Sequence, residues 1–346
     1  MKAETILQVL AEIREELDLR RGTEPRISQV CTHADGSTHI IMSDRSEKSL
    51  MLGPGGRIVA ELSRRINSPI SVYSEEELIL RKHRLELTLD RITELMNELT
   101  SDIQRDSLQI LQSSIGEEMK FPQEMVNYPQ LIHDQISVAV AFSGGADSSA
   151  SMVILKKLGF EPEAIIIDLG PEFVNPRDLK KALDWCETQG IQWLKVSPLR
   201  KMENIIRRTQ DGKIHPCGEC HSIIIESVSK LASENGHSLL VTGELLPTGR
   251  QAIELTNSLL TIHLPASLAL TKYRTEMIAA TSGIHANQRT FGCLLVNQSH
   301  AFGWRSAGPS VFRVLRELEA GVLTTGQAQE YIKSIVKSKQ LKRSKW

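Results

Sequence analysis

Residues 136–142, Ile-Ser-Val-Ala-Val-Ala-Phe, form a mostly apolar run that passes straight into Ser143-Gly144-Gly145-Ala146-Asp147-Ser148-Ser149. A strand buried on both faces reads as such a run. Two glycines let the chain turn sharply where it ends, and a helical pattern follows near 148–158. Strand, glycine turn and helix make the first half of a βαβ unit. Further candidate strands at 163–168, 192–196, 238–242 and 261–264 alternate with helical patterns near 176–189, 219–235 and 273–282. The alternation predicts an α/β fold over residues 126–346, a doubly wound parallel sheet with helices on both faces. Ligands bind such sheets beyond the C-terminal strand ends, where the glycine turn falls. Two last helices are expected at 310–319 and 325–337, parted by Gly321.

At a strand end, Gly144 and Gly145 turn backbone N–H groups outward, and the following helix adds its positive end. Ser143, Ser148 and Ser149 contribute hydroxyls. Together they suit an anion with many oxygens, such as pyrophosphate. The stretch lacks the length and the lysine of the usual G-x-x-x-x-G-K-[ST] loop. Asp147 would repel a bare phosphate, so it belongs beside a magnesium ion or serves as a helix cap. A plain Gly-Gly turn with a capping residue remains the alternative.

Upstream, residues 1–74 read as a small α+β unit. An amphipathic first helix precedes an extended stretch, Ser37–Met42. Then come Gly53-Pro54-Gly55-Gly56, a helix through Leu62 and Ile66, and a short strand, Ile70-Ser71-Val72-Tyr73. Helix, GxxG, helix and strand resemble the KH RNA-binding module, in which a GxxG loop admits a nucleic-acid backbone. That resemblance makes Gly53, Gly56 and Arg57 candidate RNA contacts, with Arg64 and Arg65 nearby; a tight turn is the plainer reading. Residues 75–125 read as a helical connector. Leu85, Leu89, Ile92, Met96, Leu99 and Ile103 form a heptad seam that could pack within the chain or join a homodimer.

The 346 residues carry a net charge of −1, which gives no whole-chain electrostatic case for nucleic acid. Basic residues concentrate locally, at Arg200, Lys201, Arg207, Arg208 and Lys213, and at Lys337, Lys339, Lys342, Arg343 and Lys345. No apolar run reaches the ~18 residues of a membrane helix. Five cysteines on a long chain do not suggest a secreted disulfide framework. The expectation is a cytoplasmic protein with reduced thiols and no membrane partner.

His215-Pro216-Cys217-Gly218-Glu219-Cys220-His221 opens a helical pattern. A Cys-x-x-Cys at a helix start can be a redox dithiol of depressed pKa. It can be half of a zinc site, completed here by His215 and His221. With a third cysteine it can hold an iron–sulfur cluster. Cys31 and Cys186 have no partner at ligand spacing, and Cys186 sits in an amphipathic pattern as a core residue would. His300, Trp304 and Arg305, close to Cys293, either touch RNA or pack and cap locally.

Ser143-Gly144-Gly145-Ala146-Asp147-Ser148 resembles the SGGxDS PP-loop of the ATP pyrophosphatase superfamily, whose adenine nucleotide alpha hydrolase-like fold carries the loop after its first strand. The resemblance spans roughly residues 130–285. It implies cleavage of ATP between the α- and β-phosphates and transfer of AMP to a substrate oxygen. Ser143, Gly144, Gly145, Asp147 and Ser148 would then bind ATP with magnesium. Asp168 and Thr242-Gly243-Glu244 fall where the superfamily holds adenosine and the α-phosphate. A PP-loop, then Cys217 and Cys220, then Cys293 in Phe291-Gly292-Cys293 resembles the cluster-dependent tRNA thiotransferases that make 2-thiouridine, 2-thiocytidine and archaeal 4-thiouridine. Thr242-Gly243-Glu244 and the segment opening at Lys272 are similar to the 4-thiouridine branch. That resemblance implies a 4Fe–4S cluster on Cys217, Cys220 and Cys293, a tRNA substrate, and sulfide or a persulfide carrier as sulfur donor. In that reading Asp147, Cys217 and Cys220 are the catalytic residues. The THUMP domain and flanking zinc fingers of those branches are missing, so the target base is left open. Two other classes fit the same motifs. One is an AMP-forming ligase or amidotransferase-like enzyme with zinc on its cysteines. The other is an RNA-binding protein with a regulatory nucleotide site.

Overall fold

A computed structural model describes residues 2–19, 23–131, 136–285 and 291–337. The chain divides into two compact units. One comprises Met1–His83 with Gly116–Asn127, the other Arg84–Ile115 with Tyr128–Trp346.

The first unit runs α1 (Ala3–Glu16), β1 (Ile27–Thr32), β2 (Thr38–Met42), α2 (Arg45–Leu52), α3 (Arg57–Ile66) and β3 (Ile70–Ser74). Its sheet has the order β1-β2-β3, with β1 antiparallel and β3 parallel to β2. Ile6, Leu10 and Ile13, at helical spacing on α1, meet Ile40 and Met42 of β2 and Ile58 and Leu62 of α3 in one apolar cluster. Gly53 to Gly56 joins α2 to α3. Gly53 takes φ 69°, and a Cβ there would fall 2.3 Å from the Ile58 side chain, so the close approach requires glycine.

Two long helices follow, α4 (Glu75–Glu98) and α5 (Asp102–Met119). Of the predicted seam, Leu85, Ile92 and Leu99 are buried within the chain while Leu89 and Met96 are half-buried, and Thr88 and Leu95 are buried beside them. Ile103 lies outside it and is exposed, because the helix breaks between Glu98 and Asp102 and restarts with a new phase. Thr88 donates to the Gly249 carbonyl, and Arg91 to that of Ile253, which fixes this helix on the second unit's own body.

The second unit continues with β4 (Ser137–Phe142), α6 (Ala146–Leu158), β5 (Glu161–Ile167), α7 (Pro176–Thr188), β6 (Trp193–Val196), α8 (Leu199–Gln210), α9 (Cys217–Glu234), β7 (Leu239–Thr242), β8 (Ile253–Thr256), β9 (Leu259–His263), α10 (Leu264–Ser267), α11 (Lys272–Ala280), α12 (Leu294–Ser299), α13 (Trp304–Glu319) and α14 (Thr325–Val336). The sheet order is β6-β5-β4-β7-β9-β8. Every neighbour pair is parallel except β8 with β9. This is the expected doubly wound α/β sheet. The order reverses at β4, which lies between β5 and β7. Phe142 pairs with Ile166 and Val140 with Val241, so Ser143, Asp168 and Gly243 all sit at the same sheet edge, at the switch point. Helix α8, strand β8 and helix α12 are additions to the expected elements; β8 and α12 are short, whereas α8 runs 12 residues and buries Met202 and Ile205.

Candidate functional site

The glycine turn closes on itself through its serines. The Ser143 N–H donates to Ser148 Oγ at 3.2 Å, the two hydroxyls lie 3.1 Å apart, and the Gly145 N–H donates to Ser143 Oγ at 3.3 Å. Helix α6 has Gly145 as its N-cap with no side-chain cap. Asp147 is therefore not the cap that its position suggested. The first N–H groups of α6 have no capping side chain and point to the strand end, as an anion site requires. Gly144 adopts φ 72°, and a Cβ there would meet the Ala182 Cβ at 2.8 Å. Gly243 is tighter: a Cβ would fall 2.5 Å from the Ser148 nitrogen and 2.8 Å from the Asp147 carbonyl carbon. The glycine after β7 thus lets the Thr242–Glu244 segment lie against the start of α6.

Asp147 meets two groups from α11. Lys272 Nζ lies 2.6 Å from its Oδ2, and Thr275 Oγ1 donates to its Oδ1 at 2.6 Å. Burial opposes the Lys272 charge, but Asp147 more than offsets it, and the lysine pKa is raised. The loop that lacks a lysine in sequence gains one from a distant helix.

Asp168, just past β5, accepts from the Gly170 N–H and pairs with Lys195 Nζ at 2.8 Å. The Lys195 hydrogen bond holds its carboxyl below the usual range. Past β7, Thr242 Oγ1 lies 2.7 Å from Nδ1 of buried His263, and the Glu244 carboxylate reaches His221 Nδ1 at 3.2 Å. His263 and Glu244 carried no sequence signal beyond the Thr-Gly-Glu run.

Cys217 and Cys220 occupy the first turn of α9, and Cys293 is the N-cap residue of α12. Cys220 and Cys293 share an apolar cluster with Leu169, Phe173 and Leu295. Cys217 and Cys293 share a second with Phe291, Val296 and Val314. Cys293 also raises the pKa of both other thiols, so all three lie within electrostatic reach. Leu169 and Phe173 directly follow Asp168, and the Leu294 N–H donates to the Phe173 carbonyl at 3.2 Å. The cysteines therefore stand beside the C-terminal end of β5. Among the described residues, no three His, Cys, Asp or Glu side chains are arranged to enclose a metal ion. A helix N-terminus ordinarily lowers a thiol pKa, but burial wins here: Cys217 is raised and Cys220 is pushed up to about 12. Burial here works against a low-pKa redox dithiol. His215 Nε2 is bonded to Ser310 Oγ at 3.0 Å, and His221 Nδ1 faces Glu244 at 3.2 Å, which leaves the second nitrogen of each ring without a partner among the described residues. Cys186 is fully buried core with its pKa pushed up to about 11, chiefly by burial.

In the first unit, Arg57 is exposed at the start of α3 and has no carboxylate partner among the described residues. Arg64 and Arg65, by contrast, are taken by Glu61, and Arg65 also by Glu16. The basic run before Cys217 is partly paired, Lys201 with Glu226, Arg208 with Glu219 and Lys213 with Asp211, while exposed Arg207 is bonded to Asn204. Of the C-terminal basic residues, Lys339, Lys342, Arg343 and Lys345 lie outside the described residues. Among the described residues no helix is long and apolar enough to cross a membrane.

No family model matches the chain. Uncharacterized protein MJ1638 of Methanocaldococcus jannaschii is 28% identical over 264 residues, covering 75% of this chain and 95% of that protein. The tRNA-5-methyluridine(54) 2-sulfurtransferase of Pyrococcus horikoshii is 27% identical over 129 residues, 37% of this chain and 41% of that enzyme. Among solved structures, the U34-tRNA thiolase NcsA from Methanococcus maripaludis with its 4Fe–4S cluster aligns over 68% of this chain and 78% of its own, with a TM-score of 0.40 and 14% identity. With a Ser-Gly-Gly-x-Asp-Ser turn at the switch point of a doubly wound sheet, and three cysteines beside the next strand end, the chain resembles the PP-loop ATP pyrophosphatase superfamily and, within it, the cluster-dependent tRNA thiotransferases.

Proposed function

We propose that the chain is an ATP-dependent tRNA sulfur transferase. It would attach AMP to a pyrimidine carbonyl oxygen, releasing pyrophosphate. Sulfur would then take the place of that oxygen, which leaves with AMP. The observation that carries this reading is the packing of Cys220 and Cys293 on Leu169 and Phe173. It brings two thiols beside the strand end that follows the glycine turn, which supports reading them as ligands.

In this reading the uncapped N–H groups of α6, with the Ser143 and Ser148 hydroxyls, receive the departing pyrophosphate. Losing one such donor costs about 3 kcal/mol of barrier. Lys272 offsets the Asp147 charge, so triphosphate with magnesium can approach. Asp168, oriented by Lys195 and the Gly170 N–H, and the backbone at Gly243 flank the nucleotide. Cys217, Cys220 and Cys293 would hold a 4Fe–4S cluster. The chemistry of the donor set suits it: three thiols that share apolar surroundings. Bound there, a cluster with three protein ligands supplies one open iron site for a sulfur species. The protein's part is to exclude water and to hold the three thiols, which would give up their protons on binding metal. In the first unit, the Gly53–Gly56 turn and Arg57 would grip the RNA backbone as a KH-like module does. Sulfide or a persulfide carrier would be the donor.

Mass spectrometry of tRNA nucleosides from a deletion strain tests the reading. Loss of one thionucleoside, restored by the wild-type gene and not by Cys293→Ala, is expected. An unchanged profile overturns it.

A further inference from the structure

Helix α13 is amphipathic in an unusual way. Its inner arc, Ala307, Val311, Val314 and Leu318, packs in the cluster that also takes Cys217 and Cys293. The outer arc of such a helix is ordinarily polar. Here it carries Trp304, Phe312 and Leu315, which are 45%, 64% and 45% exposed. Gly308 lies one turn after Trp304 and one turn before Phe312 on that arc. A Cβ at Gly308 would meet nothing within 4 Å, so packing does not require the glycine. The two aromatic positions are about 12 Å apart along the axis, with only a glycine between them. Arg305 and Arg316 line the side of the stripe next to Phe312, are exposed, and have no carboxylate partner among the described residues. They differ in this from Lys201, Arg208 and Lys213 before Cys217.

We propose that this outer face of α13 is a docking surface for single-stranded RNA. Bases stack on Phe312 and Trp304, and Arg305 and Arg316 meet the phosphates. Flat exposed rings interleaved with unpaired guanidinium groups are what single strands recognise. An apolar protein partner would leave the two arginines uncompensated, whereas a polyanion with flat bases satisfies both features. The face is tied to the candidate site: Ser310 Oγ of the same helix is bonded to His215 Nε2, two residues before Cys217. The proposal rests on the tRNA reading above and names where an unpaired loop of that substrate would lie.

The test is fluorescence anisotropy of the full chain with labelled oligouridylate of about fifteen nucleotides and with an RNA duplex of equal length. Phe312→Ala and Trp304→Ala should each weaken oligouridylate binding about tenfold and leave the duplex little changed. Phe312→Tyr should bind as the wild type, and Phe312→Leu as poorly as Phe312→Ala, since an aliphatic side chain lacks a stacking face. Arg305→Ala and Arg316→Ala should each flatten the dependence of log affinity on log salt by about 0.7. Unchanged oligouridylate affinity in Phe312→Ala overturns the proposal. So does equal loss on the duplex. So does a wild-type dimer that Phe312→Ala dissociates with RNA affinity intact. The deletion-strain nucleoside profile is read separately. If stripe variants lose RNA while no thionucleoside is missing, the function fails and the docking surface stands; the reverse pair fails the surface alone.

Discussion

Lys272 and Asp147 are 125 residues apart in sequence, yet Nζ and Oδ2 are 2.6 Å apart in space. The pair joins α11 to the first turn of α6, and it cancels a carboxylate that would otherwise face incoming phosphates. Lys272→Met should therefore weaken ATP binding by ten- to a hundredfold, about 1.4–2.8 kcal/mol. Adding Asp147→Asn should recover part of that loss, because the unpaired charge is gone. Isothermal titration with a non-hydrolysable ATP analogue measures both. A double variant no better than Lys272→Met would mean that Asp147 acts on magnesium directly and not through the lysine.

The turn glycines are unequal, and their order is measurable. Gly243→Ala drives a methyl against the backbone of Ser148 and Asp147, which cannot swing aside. Overpacking of this kind costs about 1–3 kcal/mol. Gly144→Ala meets the Ala182 Cβ and also carries φ 72°, so it adds left-handed strain of about 1–2 kcal/mol. Gly145→Ala has an ordinary φ of −81° and touches only the Ser143 hydroxyl at 3.3 Å. Thermal unfolding should place Gly145→Ala near the wild type and the other two well below it. Pyrophosphate release should be lost in Gly243→Ala even at temperatures where it stays folded.

Much of the second unit was legible in sequence because parallel strands buried on both faces leave unbroken apolar runs, as Ala164 to Ile167 does. The Ser143–Ser148 turn and the cysteine spacing were legible for a similar reason: the chemistry is local. What was not legible is what arrives from far along the chain. The segment that holds Lys272 and Thr275 stands out by resemblance, but nothing near Asp147 announces that both meet its carboxylate. Nothing near Thr242 announces His263, which comes from the neighbouring strand. The heptad reading of α4 placed Ile103 in the seam because periodicity alone does not see the break at Leu99 to Ser101. Arg65 reads as a phosphate contact because Glu16, on another helix, is invisible as its partner, whereas Arg64 is taken by Glu61 of its own helix.

Buried neutral histidines should make the fold sensitive to mild acid. Burial pushes His263 below its ordinary value of 6.5, with Glu244 and Glu254 acting the other way and His221 in the same direction. His300, fully buried with Nδ1 unpartnered, is lowered by burial and by His215. As pH falls below 6.5, the unfolded chain takes up these protons and the folded chain does not. Stability then falls with falling pH, by at most about 1.4 kcal/mol per pH unit for each histidine. The loss ends once pH passes below the folded values. Urea unfolding between pH 7.5 and 5 should show this slope, and it should be shallower in His300→Gln, whose amide can still reach Ser310. An equal slope in the variant would mean that His300 is protonated in the fold.

The Gly53–Gly56 turn separates fold from binding within a few residues. Gly53→Ala collides with Ile58 at 2.3–2.9 Å and sits at φ 69°, so it should destabilise the first unit. Gly55 also has positive φ, 62°, but a Cβ there meets nothing within 4 Å. Asp visits the left-handed region more readily than most residues, so Gly55→Asp should cost no more than about 1 kcal/mol of stability. It places a negative charge on the exposed turn beside the unpaired Arg57. If this turn holds an RNA backbone, Gly55→Asp and Arg57→Ala should both weaken bulk tRNA binding while leaving pyrophosphate release without tRNA unchanged. The Arg57→Ala curve should also lose roughly one phosphate's worth of salt dependence. Filter binding across a salt series reads both. Unaltered tRNA affinity in the two variants, with the fold intact by circular dichroism, would reduce the turn to a connector between α2 and α3.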